Sequence, residues 1–277
     1  MFENIVGHER EKEILKDIIE KQNISHAYLF SGSKGIGKAT IAFEFAKQII
    51  KVGNLTSSPD FKYISKNEDK KDIVVEQIRK EVIDDIYIAP AASSKKVYII
   101  DDAENLNIAS QNALLKTLEE PPPYVVIILI ATTTNNLLTT IISRVNTINF
   151  ENIKKDEFKV YLKNEYDVNL SDNIIDFLDG SVGRAVSIIR DDMLDSLKEV
   201  SKLYEYIEKK DEISSLTHSS KIEFTNDIYL EYLEYLLYNN GKYFCIKFVE
   251  KARNRLKNNG NYDIVIDNMI LKIIDHI

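Results

Sequence analysis

The first half of the chain alternates short apolar runs with segments that have helical hydrophobic spacing. The runs at 27–30, 97–100 and 125–130 are almost free of polar residues, as in strands that are buried on both faces. Between them, the spacing predicts helices over 39–51 and 109–120. This alternation predicts a parallel sheet that is covered by helices on both faces.

The second half of the chain has a different pattern, because apolar runs typical of strands end at Phe150. Residues 152–190 predict several short helices, and the chain from Asp191 onward has helical spacing rich in tyrosine, leucine and isoleucine. One long helix is predicted over 226–238. Its apolar side chains serve either a helical core or an interface.

Polar or proline-rich stretches interrupt the pattern at three places. Residues 52–72 are predicted to be a surface excursion, and residues 208–225 are predicted to be a linker or a loop between helices. The helix over 109–120 is predicted to end at the prolines 121–123, because proline cannot donate a helical hydrogen bond.

Charge and cysteine content exclude several classes of protein. The 277 residues carry a formal net charge of −8. Proteins that bind DNA on their own by neutralising phosphates are usually basic, so any DNA contact must come from a local patch or from partners. The single cysteine, Cys245, excludes an internal disulfide and a cysteine-ligated zinc module. No apolar run approaches the roughly 18 residues needed to cross a membrane, and we expect a cytoplasmic protein.

A glycine-rich turn follows the first predicted strand and precedes the first predicted helix, which is the context of a P-loop. Glycines allow the backbone to wrap so that its N–H groups face phosphate oxygens, and the helix N-terminus adds a favourable dipole. The lysine of the turn is expected to reach the β- and γ-phosphates. The predicted phosphate-binding residues are Gly32, Gly35, Gly37, Lys38, Ala39 and Thr40.

This turn departs from a full P-loop at one position. The residue after Lys38 is usually Ser or Thr, because that hydroxyl holds Mg²⁺, and here it is Ala39. Thr40 lies one place further along the helix, turned by roughly 100°. Phosphate binding can survive this change, whereas we expect metal placement and hydrolysis to be impaired.

An acidic pair, Asp101 and Asp102, ends the second predicted strand, as in a Walker B element. Asp101 is expected to support Mg²⁺. Asp102 stands where a glutamate usually polarises the attacking water, and its shorter side chain withdraws the carboxylate by about 1 Å. Thr133, in the polar turn after the third strand, is added to the predicted nucleotide-binding residues.

Two arginines stand at positions where a guanidinium can meet a phosphate. Arg144 follows Ser143, and it can be offered to the γ-phosphate of a neighbouring subunit, although the motif by itself favours a solvent-exposed arginine. Arg184 lies in the glycine-punctuated stretch 180–185, which by itself favours an ordinary capped helix.

Together these motifs resemble the clamp-loader subunits of bacterial DNA polymerase III. The resemblance rests on residues 25–32, on Ser143 and Arg144, and above all on 111–122, which reads Gln-Asn-Ala-Leu-Leu-Lys-Thr-Leu-Glu-Glu-Pro-Pro. It is strong over 1–150, weaker up to Arg190 and architectural beyond. Residues 5–8 match the position at which such proteins contact adenine.

The resemblance implies an α/β fold in three parts: a RecA-like AAA+ P-loop core at 1–150, a small helical lid at 151–200 and an all-helical collar at 201–277. It implies ATP or ADP with Mg²⁺ as ligands. Implied partners are the delta and tau/gamma subunits, the sliding clamp and, through the assembly, primed DNA, with no membrane. Relatives carry a four-cysteine zinc module that would fall within 52–72, and no zinc is expected because that segment has no cysteine.

Within this family, the departures favour the delta-prime type. Such a subunit has an impaired nucleotide site and offers an arginine finger in trans, here Arg144, although Val145 replaces the usual cysteine. Arg184 matches the sensor-2 arginine, which could contact nucleotide within this chain. The alternative is an active motor subunit of the tau/gamma type or another AAA+ ATPase, which the retained Lys38, Asp101 and Arg184 keep open. A free-standing DNA-binding regulator is disfavoured by the net charge.

Overall fold

A parallel sheet forms the centre of the amino-terminal part of the chain. The computed structural model describes residues 1–3, 5–66, 72–224 and 226–277. Within these residues the strands are β1 (Ala27–Ser31), β2 (Phe61–Ile64), β3 (Lys96–Ile100), β4 (Val125–Ala131) and β5 (Asn146–Asn149). Their order across the sheet is β2-β3-β4-β1-β5, and every pairing between neighbouring strands is parallel. The carboxyl ends of all these strands therefore meet at one edge.

Helices cover both faces of the sheet. They are α1 (Glu9–Glu20), α2 (Lys38–Ile50), α3 (Val75–Ile78), α4 (Asp84–Ile86), α5 (Ile108–Glu119), α6 (Thr139–Ile142) and α7 (Lys155–Tyr166), with a π-helical turn, Arg79–Ile83, between α3 and α4. Alternate residues of β1 to β4 pack either with Phe45 of α2 or with Leu114 of α5. Every residue of β3 and β4 is buried, which confirms the predicted two-sided burial.

The chain divides into two compact units. The amino-terminal unit comprises residues 1–169 and 179–183, and the carboxy-terminal unit comprises 170–178 and 184–277. Helices alone form the described part of the second unit: α8 (Asp172–Leu178), α9 (Val182–Arg190, from Arg184 onward), α10 (Leu194–Glu208), α11 (Glu212–Ser219), α12 (Asp227–Asn239), α13 (Tyr243–Lys257) and α14 (Tyr262–His276). A parallel α/β unit followed by helices confirms the predicted fold class, and the boundaries at 150 and 200 stay a prediction.

The long helix predicted over 226–238 is α12, and its apolar residues serve the core of the carboxy-terminal unit. Asn226 begins the helix, because its side chain accepts a hydrogen bond from the N–H of Ile228. The buried side chains of α12 are Tyr229, Leu230, Tyr232, Leu233, Leu236 and Leu237. Among the described helices, none has the length and apolarity that crossing a bilayer requires.

Two predictions about polar stretches were wrong. Strand β2 lies within 52–72, the predicted surface excursion: Phe61 and Ile64 are buried, and β2 is recognisable only through its pairing with β3. Helix α11 lies within 208–225, the predicted linker or loop, and its buried residues include Ser215 and His218, which have no apolar periodicity. The expectation of no zinc also concerns 52–72, and part of that segment, 67–71, lies outside the described residues.

Candidate functional site

The glycine-rich turn after β1 is held from outside by the segment 179–183 of the amino-terminal unit. The carbonyl of Lys34 accepts a hydrogen bond from the Ser181 hydroxyl at 3.0 Å. The next carbonyl, that of Gly35, accepts one from the N–H of Gly183 at 2.8 Å. A Cβ on Gly183 would lie 3.2 Å from the Cα of Gly35, so the two backbones pack directly against each other.

A third contact to the turn comes from the start of the chain. His8 directs its ring Nε2 at the carbonyl of Ile36, at 2.7 Å, and the His8 ring packs edge-on against Phe150. In each peptide plane the C=O and the following N–H point in opposite directions. The N–H groups of Gly35, Ile36 and Gly37 therefore point away from these outside partners.

These N–H groups form a cradle suited to an anion. In the described part of the chain, no backbone N–H from Ser33 to Gly37 donates a hydrogen bond to a protein atom. Helix α2 begins directly after Gly37 without a side-chain cap, so its first N–H groups face the same opening. Free N–H groups and a helix N-terminus favour a phosphate group at this position.

Lys38 is the cation of the cradle. It is 5% exposed, and its ammonium donates to the carbonyls of Gly32 and Ser33, at 2.6 Å each. Burial lowers the pKa of Lys38, and the nearby carboxylates of Asp101, Glu104 and Asp102 act in the opposite direction. The lysine therefore lies between the glycine-rich turn and an acidic group of side chains, and its contact with phosphate stays a prediction.

Asp101 follows β3 and accepts a hydrogen bond on each carboxylate oxygen. Its Oδ2 accepts from the hydroxyl of Tyr63, on the neighbouring strand β2, at 2.6 Å, and its Oδ1 accepts from the N–H of Asp102 at 2.8 Å. Asp102 has a left-handed backbone with φ 50°. Burial, together with Asp101 and Glu104, raises the pKa of Asp102.

The residues present do not fit a Mg²⁺ ion well. Mg²⁺ requires oxygen ligands in near-octahedral geometry, usually a P-loop hydroxyl together with a Walker B carboxylate. Ala39 has no hydroxyl, and both oxygens of Asp101 already accept hydrogen bonds within the chain. Thr40 is exposed and lines a surface depression with Phe43 and Glu44, as expected from its turn along the helix.

The polar turn after β4 contributes a residue that the sequence analysis did not single out. Thr132 donates its hydroxyl hydrogen to Glu104 of the acidic group. Thr133, which was predicted to bind nucleotide, accepts a hydrogen bond from the N–H of Asn135 at 3.2 Å. A nucleotide contact by Thr133 stays a prediction.

Arg144 lies just after α6, with its guanidinium at the surface. One of its nitrogens binds Glu119 Oε1 at 2.7 Å, and the other donates to the carbonyl of Thr140 at 2.9 Å. Its side chain is 33% exposed. Arg144, Glu119 and His26 line a surface depression of about 570 Å³, and Nε2 of His26 is buried without a hydrogen-bond partner among the described residues.

Arg184 lies in the carboxy-terminal unit. Its guanidinium pairs with Glu231 and stacks over the ring of Phe177, 4.1 Å from the centroid. Both partners belong to the same unit as Arg184. The predicted contact between Arg184 and a nucleotide stays a prediction.

The structure adds site residues that sequence reasoning did not assign. Two segments singled out in the sequence, 5–8 and 180–185, contain His8, Ser181 and Gly183. Nothing in either segment indicated that these residues hold the glycine-rich turn. Glu119 is part of the segment that carries the family resemblance. No sequence pattern indicated Tyr63, because it lies in the stretch that was predicted to be a polar surface excursion.

Comparisons with known proteins point to one family. The family model described as "DNA polymerase III, delta subunit" matches residues 7–154, just over half of the chain. The tau subunit of DNA polymerase III from Bacillus subtilis is 36% identical over 171 residues, which are 55% of this chain and 29% of that protein. The gamma/tau subunit from Mycoplasma genitalium is 29% identical over 262 residues, 90% of this chain and 41% of that protein.

A solved structure has the same fold. The gamma subunit-related protein of DNA polymerase III from Thermotoga maritima superposes with a TM-score of 0.60, at 20% sequence identity, over 95% of this chain and 98% of that one. The chain itself spans about half, or less, of the first curated relatives it matches, such as 48% of a gamma subunit from Buchnera aphidicola.

The class follows from the fold and the site together: a parallel sheet with a P-loop after β1, an acidic pair after β3 and helices beyond define a RecA-like AAA+ protein. The family model covers more than half of the sequence, so the family within this class is also defined. The chain belongs to the clamp-loader subunits of DNA polymerase III.

Proposed function

We propose that this chain is a delta-prime-type subunit of a clamp loader. It has an impaired nucleotide site of its own, offers Arg144 to the nucleotide of a neighbouring subunit, and helps to load a sliding clamp on primed DNA during replication. Its partners are the delta and tau/gamma subunits and the clamp, and it reaches primed DNA through the assembly. It carries no polymerase site.

The observation that carries this proposal is the poor fit to Mg²⁺. A γ-phosphate is transferred to water only when the metal neutralises its charge and a positioned group orients the water. The methyl group of Ala39 offers no ligand, and the Tyr63 hydroxyl donates a hydrogen bond to one oxygen of Asp101. The free N–H groups of the glycine-rich turn favour retention of phosphate or ADP, whereas the chain's own hydrolysis is weak or absent.

The position of Arg144 supports a role in trans. Its side chain is one third exposed, and Glu119 and a backbone carbonyl hold the guanidinium, so its orientation is defined before any partner arrives. A pre-oriented arginine loses less conformational freedom when it stabilises charge on a phosphate.

The alternative is an active motor subunit of the tau/gamma type. It is favoured by the curated relatives, which are named tau and gamma subunits, and by the retained Lys38 and Asp101. The delta-prime proposal is favoured by the two departures in the site and by a family model described as a delta subunit. The two roles differ in one measurable property, ATP hydrolysis by the chain on its own.

The test is an ATPase assay on the reconstituted clamp loader and on the chain alone. We expect the chain alone to be inactive and Arg144→Ala to lower clamp- and DNA-stimulated hydrolysis at the nucleotide site that Arg144 completes by about 1,000-fold or more, as for other arginine fingers. Arg144→Lys keeps the charge but loses the planar fork, so it should recover only a small part of the rate. Arg190→Ala, at a 74% exposed side chain, is the matched control.

The opposite result would identify a motor subunit. ATP hydrolysis by the chain alone that is abolished by Lys38→Ala, combined with an assembly insensitive to Arg144→Ala, contradicts the delta-prime proposal. Gel filtration of each variant with the partner subunits distinguishes a defect in hydrolysis from a defect in assembly.

A further inference from the structure

A groove between α13 and α14 carries positive charge that the nucleotide site does not use. Lys247, Lys251 and Arg255 line it, and it encloses about 600 Å³. These residues are four positions apart, so their side chains lie along one face of α13. All three are exposed. The groove therefore presents a row of cations at the surface of the carboxy-terminal unit.

No acidic side chain of the described residues pairs with this row of cations. Among the described residues, Lys247, Lys251 and Arg255 form no ion pair, and the acidic residue that lines the groove is Glu250. On another face of the same helix, Arg253 binds Asp227 and Glu234 at 2.6 and 2.7 Å. Among the described residues, the ion pairs of α13 are therefore confined to the face that packs against α12.

The charge of α13 is opposite in sign to the net charge of the whole chain. Helix α13 holds five basic residues and one acidic residue, in a protein with a formal net charge of −8. Three asparagines, Asn254, Asn258 and Asn261, also line the groove and add neutral donors and acceptors. Cations and amides at a surface are the side chains that bind phosphate and sugar oxygens.

Exposed aromatic rings adjoin the cations at the start of α13. Tyr243 and Phe244 are 60% and 57% exposed, although rings of this size are usually largely buried. The ammonium of Lys247 lies 3.1 Å from the centroid of the Phe244 ring. This ammonium covers one face of the ring, so the ring can stack on a base once Lys247 has moved to the adjoining phosphate.

We propose that this groove binds single-stranded nucleic acid. Lys247, Lys251 and Arg255 bind successive backbone phosphates, and Phe244 and Tyr243 stack on bases at the start of α13. Four residues of helix rise about 6 Å, so the cations can follow an extended strand. An acidic peptide is the competing occupant, and the exposed rings favour nucleic acid because every base offers a face on which to stack.

The proposal is tested by fluorescence anisotropy on the full chain, with a labelled oligothymidylate of about 20 nucleotides as the probe. We expect binding that weakens with salt, with a slope of log affinity against log salt of about −2 for three phosphate contacts. The triple variant Lys247→Ala, Lys251→Ala and Arg255→Ala should weaken binding at least about tenfold and bring the slope close to zero.

Matched variants separate specific contacts from net charge. Lys163→Ala, Lys198→Ala and Lys202→Ala remove the same charge from exposed lysines that pair with acids elsewhere, and this control should bind like the unaltered chain. Phe244→Leu keeps an apolar side chain without a ring, and it should weaken binding about tenfold. Circular dichroism melts confirm that each variant is folded.

Three results would overturn the proposal. They are no binding by the unaltered chain at low salt, equal losses in the groove variant and in the lysine control, and displacement of the oligothymidylate by polyglutamate at equal charge while Phe244→Leu has no effect. The last result would assign the groove to an acidic protein segment. The assay contains no partner subunit, so its outcome is independent of the ATPase test of the proposed function.

Discussion

Asp101 accepts hydrogen bonds on both carboxylate oxygens, one from the Tyr63 hydroxyl and one from the N–H of Asp102. Burial and the hydrogen bond to Asp101 raise the pKa of Tyr63, so its hydroxyl keeps its proton and remains a donor at neutral pH. Each oxygen of Asp101 can accept one further contact, but the Tyr63 hydroxyl competes with a metal ion for it, and Ala39 offers no oxygen. These two side chains therefore weaken metal binding at the proposed phosphate site.

Restoring both positions should restore a response to Mg²⁺. For the unaltered chain, we expect a fluorescent ADP analogue to bind equally well with Mg²⁺ and with EDTA. The double variant Ala39→Thr and Tyr63→Phe should bind it about tenfold more tightly with Mg²⁺, because a P-loop hydroxyl is added and Asp101 is released. Tyr87→Phe, at an exposed tyrosine, is the control. Strong Mg²⁺ dependence in the unaltered chain would contradict this account.

The carboxylate of Asp60 accepts hydrogen bonds from the backbone of the segment that leads into β3. It is 1% exposed and accepts hydrogen bonds from the N–H groups of Ala91, Ala92 and Ser93, at 2.7 to 2.8 Å. Burial alone would raise the pKa of Asp60, but these hydrogen bonds outweigh it and lower the pKa below its ordinary value.

The lowered pKa of Asp60 gives a pH-dependent contribution to stability. The folded state binds the proton more weakly than the unfolded state, so the contribution is complete above the ordinary pKa near 4 and is lost as pH falls through the lower folded value. Asp60→Asn should lower the free energy of unfolding at neutral pH by about 1–3 kcal/mol. Urea unfolding at neutral and acidic pH measures this, with Asp267→Asn, at an exposed position, as the control. An unchanged free energy would contradict the assignment.

At the scale of elements, the proposed phosphate site is formed by strand ends and two segments that are distant in sequence. The strand order brings the turn after β1 and the acidic pair after β3 to one edge, because all neighbouring strands are parallel. The segment 179–183 then fixes two carbonyls of the turn, and His8 fixes a third. Sequence reasoning found the turn and the acidic pair, but could not find their supports, since these contacts join residues far apart in sequence.

Gly183→Ala should loosen the glycine-rich turn. The new Cβ would lie 3.2 Å from both the Cα and the carbonyl oxygen of Gly35, so the segments must separate and the hydrogen bond between their backbones must lengthen. We expect a loss of about 1 kcal/mol in stability and faster hydrogen exchange at the amide of residue 183, which donates to the carbonyl of Gly35. Gly53→Ala, where a Cβ would meet nothing within 4 Å, is the control. Equal exchange in both variants would contradict the contact.

At the scale of the whole molecule, charge and burial are distributed unevenly. The chain carries a formal net charge of −8, yet α13 has five basic residues against one acidic residue. The expectation that any DNA contact must come from a local patch or from partners therefore has a definite candidate in the groove beside α13. Burial of all of β3 and β4 accounts for why the fold class was predictable.

The sequence by itself determined the fold class, the place of the glycine-rich turn, the missing hydroxyl at Ala39 and the family, because local runs, spacings and motifs carry this information. Only the tertiary structure decided that β2 is a strand and that three cations line an open groove. It also decided that Tyr63 donates a hydrogen bond to Asp101 and that Glu119 forms an ion pair with Arg144. Each of these depends on which side chains meet across elements. Such contacts are set by strand order and helix packing, which no local pattern contains.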